Sequence, residues 1–180
     1  MDSKIESEFN KLEKSRFQLF AKLDEKEEPE LNYHPDKNKW SVIQVLNHLI
    51  ITEQLSIKYI NKKLTYRTNI KKTGLSAAIR FFVLKLMLQT PLRFKAPEIV
   101  SEAPDNGDFN YIKSQWDQTR KELRKLLDDL PEEFLNKNIF KHAIAGKMNI
   151  YQTLGFMEEH FKHHLKQIDR IEKSFIFAKN

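Results

Sequence analysis

Three of the six histidines stand within five positions, in "EEHFKHHLKQIDRI" (residues 158–171). Imidazole changes charge near neutral pH, and it is a favoured ligand of late first-row metals. The direction in which each ring points decides what chemistry is open to it. On a helical wheel of about 100° per residue with His160 at the origin, His164 falls roughly 40° away. Phe156, Met157, Thr153, Gln167 and Ile171 share that stripe, while Glu158, Lys162, Lys166, Asp169 and Lys173 take the opposite arc. His160 and His164 therefore face a core one turn apart. His163 lies about 60° to the other side, on the shoulder of the stripe near Glu159 and Arg170.

A second inward histidine position lies far upstream. In "KWSVIQVLNHLIITEQ" the wheel groups His48 with Val45, Leu49 and Thr52 on one apolar arc. A buried neutral imidazole carries one donor and one acceptor, and both need partners. An i,i+4 pair on one helix with a third ring from a facing helix brings three nitrogens together, a cage for a divalent ion with a coordination position left open. The other reading is a set of hydrogen-bonded core histidines with no ion. No carboxylate shares the histidine face. Glu53 is turned about 140° from His48, Glu158 points outward and Glu159 reaches only the shoulder.

The elements that must hold these residues are helices. Only four glycines and six prolines punctuate 180 residues, and no alternating strand pattern occurs. Ile5, Phe9, Leu12, Leu19 and Leu23 mark one stripe of a first helix over residues 3–23. Ser41 is a fitting N-cap for a helix of roughly twenty residues carrying His48. A short extra helix is expected over 75–89, and Pro91, Pro97 and Pro104 then break the chain. Ile112, Trp116, Leu123, Leu126 and Leu130 face inward on a helix over 108–130, stopped by Pro131. "NKNIFKHAIAGKM" reads as a loop turning at Gly146. Asn149 and Gln152 then form a capping box for the histidine helix, which is expected to end near Ser174. These elements predict one all-α domain over residues 1–180: an antiparallel up-and-down four-helix bundle with an additional helix in a basic insertion.

Composition narrows the function. The chain has no cysteine, which removes disulfides, thiolate metal sites and a cysteine nucleophile, and fits a reducing cytoplasm. The first twenty residues are charged throughout and hold no signal-peptide core. The most apolar run, "LSAAIRFFVLKLMLQT", is interrupted by Arg80 and Lys85 and is short for a bilayer span, so stable membrane insertion is not expected. That run is expected to be buried against the bundle, in a dimer interface or lining the site. The net charge of +6 is concentrated: residues 54–97 hold ten basic side chains and no acidic one. Such a segment is either a solvated face or an attractor of an anionic partner: a carboxylate-rich thiol, an acidic membrane surface or nucleic acid. Nucleic acid fits least, because no recognition motif is present and the aromatics cluster in an apolar helix.

The two histidine-bearing patches resemble the DinB/YfiT-like superfamily. "KWSVIQVLNHLIITEQ" is similar to its Trp-Ser…His-Leu signature, and "GKMNIYQTLGFMEEHFKHHLKQIDRI" to its closing Gly-Lys-Met turn and His-x-x-His-His-x-x-Gln-Ile pattern. The resemblance implies a four-helix bundle, often a homodimer, that binds zinc or nickel through His48, His160 and His164, with His163 and Gln167 around the site. It also implies a small-molecule substrate and one of two activities. These are S-transfer or isomerisation with a low-molecular-weight thiol, and metal-dependent hydrolysis. The missing general base favours thiol transfer over hydrolysis, and a non-catalytic metal or ligand-binding bundle is the alternative.

Overall fold

The computed structural model describes residues 2–66, 69–90 and 107–179. Among these are helices α1 (Ser3–Leu23), α2 (Glu28–Leu31), α3 (Val42–Thr65), α4 (Leu75–Gln89), α5 (Phe109–Asp128) and α6 (Ile150–Lys179). A hairpin of β1 (Phe140–His142) and β2 (Gly146–Met148) is the only sheet described. The protein is an all-α helical bundle with an added helix, as the periodicity requires. The four long helices α1, α3, α5 and α6 form the bundle, and α4 lies on α6 and β2.

The helix starts are set locally. Asp2 accepts from the amides of Lys4 and Ile5, and Asp108 from that of Tyr111. Ser41 and Gln44 exchange side-chain and backbone hydrogen bonds, as do Asn149 and Gln152, so two of the four orphan amides at these ends are satisfied by reciprocal boxes. All five expected inward residues of α1 are buried, as are those of the helix over 108–130.

Three details differ from the sequence expectation. The long helices do not strictly alternate in direction. Ile43 lies against Gly107, and further along Gln54 donates to Thr119, so α3 and α5 run the same way. The connection between them holds α4 and a long segment, enough chain to return to the starting end before α5 begins. The expected loop at Gly146 is a paired hairpin in which Phe140 faces Met148 and Gly146 takes a φ of 71°, a value that glycine tolerates without strain. The histidine helix continues beyond Ser174 to Lys179, where Phe175 packs edge-on against Tyr33. The prolines expected to break the chain at 91, 97 and 104, and the basic residues Arg67, Arg93 and Lys95, lie outside the described residues.

The core divides into two apolar clusters. One joins the start of α1, the end of α3 and the start of α6 to α4 and the hairpin. The other joins the end of α1, the start of α3 and the start of α5 to the later turns of α6. Between them, at mid-height, the helices bury polar side chains: Arg16, Glu53, Arg120, Thr119 and Glu159, together with the histidines.

Candidate metal centre

The capped start of α3 fixes the rotation that sends His48 into the bundle among Val45, Leu49 and Ile50, all buried. The antiparallel α6 presents His160 and His164 to it from successive turns. The structure brings these three rings together, with ligand nitrogens that all lie within 4.8 Å of one another. His160 Nε2 is 3.2 Å from His48 Nε2 and 3.1 Å from His164 Nε2. His48 and His164 are buried and His160 is partly buried.

Burial keeps His160 and His164 uncharged near neutral pH. Burial, reinforced by the neighbouring imidazoles, holds His160 well below the usual histidine range. Burial and the proximity of His48 take His164 down to about 3, against a weaker opposing effect of Gln167. A neutral imidazole has one nitrogen lone pair to give, and Gln167 decides which nitrogen that is in His164. Its Oε1 can only accept, so at 2.9 Å it fixes the ring proton on His164 Nδ1 and leaves the Nε2 lone pair facing His160.

The protons then fail to close the cluster. If His160 Nε2 carries a proton, one hydrogen must serve both short contacts or meet a second N–H. If it carries none, its lone pair meets that of His164. No arrangement of neutral rings gives every short contact its own hydrogen, whereas one cation accepts all three lone pairs. The donor set, three imidazole nitrogens, suits zinc, nickel and their neighbours. In a tetrahedral site with bonds of about 2.0–2.1 Å, ligand nitrogens stand roughly 3.3–3.4 Å apart, close to the two short contacts here. The cluster is compatible with a divalent metal.

His163 stands apart from this convergence. Its Nδ1 is 2.8 Å from the carbonyl of Leu88, so it ties α6 to the end of α4. Trp40 walls the cluster, its ring 5.0 Å from His48 and stacked near-parallel on His164. Behind His160, the ring of Phe156 stacks at 5.3 Å and carries His142 of the hairpin at 4.5 Å on its other neighbourly contact. His142 Nδ1 accepts from the amides of Ile144 and Ala145, so its proton sits on Nε2, and burial pushes its pKa down to about 4. Sequence reasoning missed His142 because nothing in "IFKHAIAGKM" reports that the hairpin folds toward α6.

Two carboxylates near the cluster in sequence are committed elsewhere, as is Glu158, which pairs with Lys162 at 2.7 Å. Glu53 accepts from Arg120 Nη2 at 2.7 Å and from the Trp116 indole at 3.1 Å. Glu159 is paired with Lys85 at 3.1 Å, accepts from Gln89 and lies 3.5 Å from Lys162. Burial pushes its pKa up, but hydrogen bonds from Gln89 and Lys85 and the charges of Lys162 and Lys85 together hold it below the usual carboxylate range. Both are spoken for as structural partners.

Comparison with known proteins agrees with this architecture. The uncharacterized protein YuaE of Bacillus subtilis (strain 168) is 23% identical over 159 residues, 88% of this chain and 93% of its own length. No solved structure matches the chain. The model of the DinB superfamily matches residues 11–168, a span that runs from α1 through all three clustered histidines and Gln167. The chain belongs to the DinB superfamily.

Proposed function

We propose that the protein is a metal-dependent enzyme acting on a small molecule, with His48, His160 and His164 holding a divalent ion, zinc or nickel, through their Nε2 atoms. The observation that carries this reading is the pair of short Nε2 contacts whose protons cannot close the cluster. A divalent ion held there supplies Lewis acidity, which lowers the pKa of a thiol or water that reaches it. The chain's own residues do the rest. Gln167 holds His164 in the tautomer that offers Nε2, while Trp40 and Phe156 wall the cluster with apolar surface.

Transfer of a low-molecular-weight thiol to an electrophilic acceptor fits the surroundings better than hydrolysis. Activating water calls for a base within hydrogen-bond reach. Glu53, Glu158 and Glu159, the carboxylates flanking the histidines in sequence, are each engaged by cations. A thiol ionises far more readily than water and needs less help.

Two measurements test the proposal together. Elemental analysis of protein purified without a metal-affinity tag should find one zinc or nickel per chain. A screen of low-molecular-weight thiols with electrophilic acceptors, run beside ester and amide substrates, should give metal-dependent turnover. Metal without turnover on any substrate class would identify a binding bundle rather than an enzyme. Absence of metal affinity in the purified chain would overturn the centre itself.

A further inference from the structure

Helix α4 is apolar on two opposite sides, and among the described residues it packs on only one. Ala77, Leu84 and Leu88 are buried toward α6 and the hairpin, and Phe81 reaches Gly155, where an added Cβ would lie 2.8 Å from its ring. At about 100° per residue, Leu75, Ile79, Phe82, Val83 and Leu86 form a second stripe diametrically opposite the first. These five side chains are 47% to 80% exposed. Surfaces of monomeric proteins rarely carry a continuous apolar ridge without a use for it.

The charge around the ridge indicates what covers it. Lys71 and Lys72 lead into α4 and are exposed, and no Asp or Glu occurs anywhere in residues 54–97. Arg80 reaches across to the hairpin, donating to the Ala145 carbonyl at 2.9 Å. A second copy of the chain is a poor fit. A twofold contact sets a patch against itself, and here it would bring acid-free cationic segments face to face. A helix with an exposed apolar stripe in a cationic setting matches the headgroup boundary of an anionic bilayer, where the stripe sinks into the acyl edge and the cations meet lipid phosphates and carboxylates.

We infer that α4 is a peripheral membrane-docking helix that lays its Leu75–Leu86 ridge on an anionic lipid surface. The helix lies in the plane of the interface and does not cross it; among the described residues no helix is long and apolar enough to span a bilayer. Docking here also sets the orientation of the histidine cluster, because Leu88 at the end of α4 is held by His163 beside it.

Sedimentation of the full chain with vesicles tests this directly. The chain should pellet with phosphatidylcholine vesicles containing about 30% phosphatidylserine, and not with phosphatidylcholine alone. Ile79→Ser with Phe82→Ser should weaken binding at least tenfold; both side chains face solvent, so the fold is spared, and circular dichroism checks it. Lys71→Glu with Lys72→Glu should weaken it at least tenfold as well, at about fivefold per lost cation. No pelleting with anionic vesicles overturns the inference. So does binding that the serine variant leaves unchanged, which reports charge attraction alone. A sedimentation-equilibrium dimer that the serine variant dissociates assigns the ridge to a second copy and overturns it too.

Discussion

The bundle buries two polar groups at mid-height, and they are assembled on opposite rules. Between α1, α3 and α5, unlike charges meet. Glu53 takes hydrogen bonds on both oxygens, from Arg120 and Trp116, and Arg16 pairs with Glu13 and Asp117. Between α3 and α6, like groups meet: three imidazoles gather, with His160 Nε2 in short contact with the Nε2 atoms of His48 and His164. The first group balances its charges among its own members, although Arg120 Nε and Nη1 are left without a hydrogen-bond partner. In the second, the short contacts outnumber the protons that could fill them. Burial is therefore silent about function until the partners are counted. An ion pair balances charge within the fold, whereas a convergence of identical donors is compatible with a bound cation.

The sharpest break of that comparison is to unbalance the ion pair. Glu53→Ala leaves the Arg120 guanidinium buried without its carboxylate and the Trp116 indole without an acceptor. We expect a loss of about 3–5 kcal/mol in urea denaturation. Glu53→Leu with Arg120→Met should recover most of it, because apolar groups of similar volume leave no charge to satisfy. A double variant as unstable as the single one would show that the layer does more than balance charge.

The corresponding change in the histidine cluster should behave in the reverse sense. His164→Ala should weaken metal binding at least a thousandfold, about 4 kcal/mol, with any metal-dependent turnover lost alongside it. The metal-free variant should keep the helical circular dichroism of the parent, because the apolar clusters on either side hold the bundle without the ion. Unfolding of the variant would place the cluster with the ion pair, as a structural element.

The sequence discloses these two groups unequally. The faces of His48, His160 and His164 follow from helical period alone, because each is fixed relative to its own apolar stripe. The ends of α1 and α4 and the caps at Ser41 and Asn149 are equally local, and the observed bounds coincide with the expected ones. Glu53 could be read as turned from His48, but its partner Arg120 could not, since that pairing depends on how α5 is rotated and which way it runs. The parallel course of α3 and α5 was hidden for the same reason: a long connection permits either direction. The hairpin escaped because three-residue strands carry too short an alternation to read. A helix apolar on two opposite faces, as α4 is, could not reveal which of them stays exposed.

Acid distinguishes the two groups with a smaller effect. His164 titrates at about 3 and His142 at about 4 in the fold, against about 6.5 in the unfolded chain. The folded pKa values are depressed, so between roughly pH 6.5 and 4 the unfolded chain binds more protons and stability rises with pH. Lowering the pH from 7 to 4.5 should cost the metal-free protein about 2 kcal/mol for each ring. His142→Phe should remove one ring's share of that slope. Equal slopes in the parent and the variant would mean that His142 is protonated in the fold, against its two amide donors.

Gln167 gives the smallest and most diagnostic change. Its Oε1 lies 2.9 Å from His164 Nδ1 and holds the ring proton there. Gln167→Ala should therefore leave the three nitrogens in place and weaken metal binding about tenfold, near 1.4 kcal/mol, by freeing the ring to rotate and change tautomer. Gln167→Glu should restore the affinity or exceed the parent's, because a carboxylate is a stronger acceptor from the same N–H and raises the basicity of Nε2. A positioning role predicts that ordering, glutamate at or above glutamine and both above alanine, measured by competition with a chromogenic chelator. If alanine and glutamate weaken binding alike, Gln167 acts through packing, and the tautomer of His164 must be set by another group.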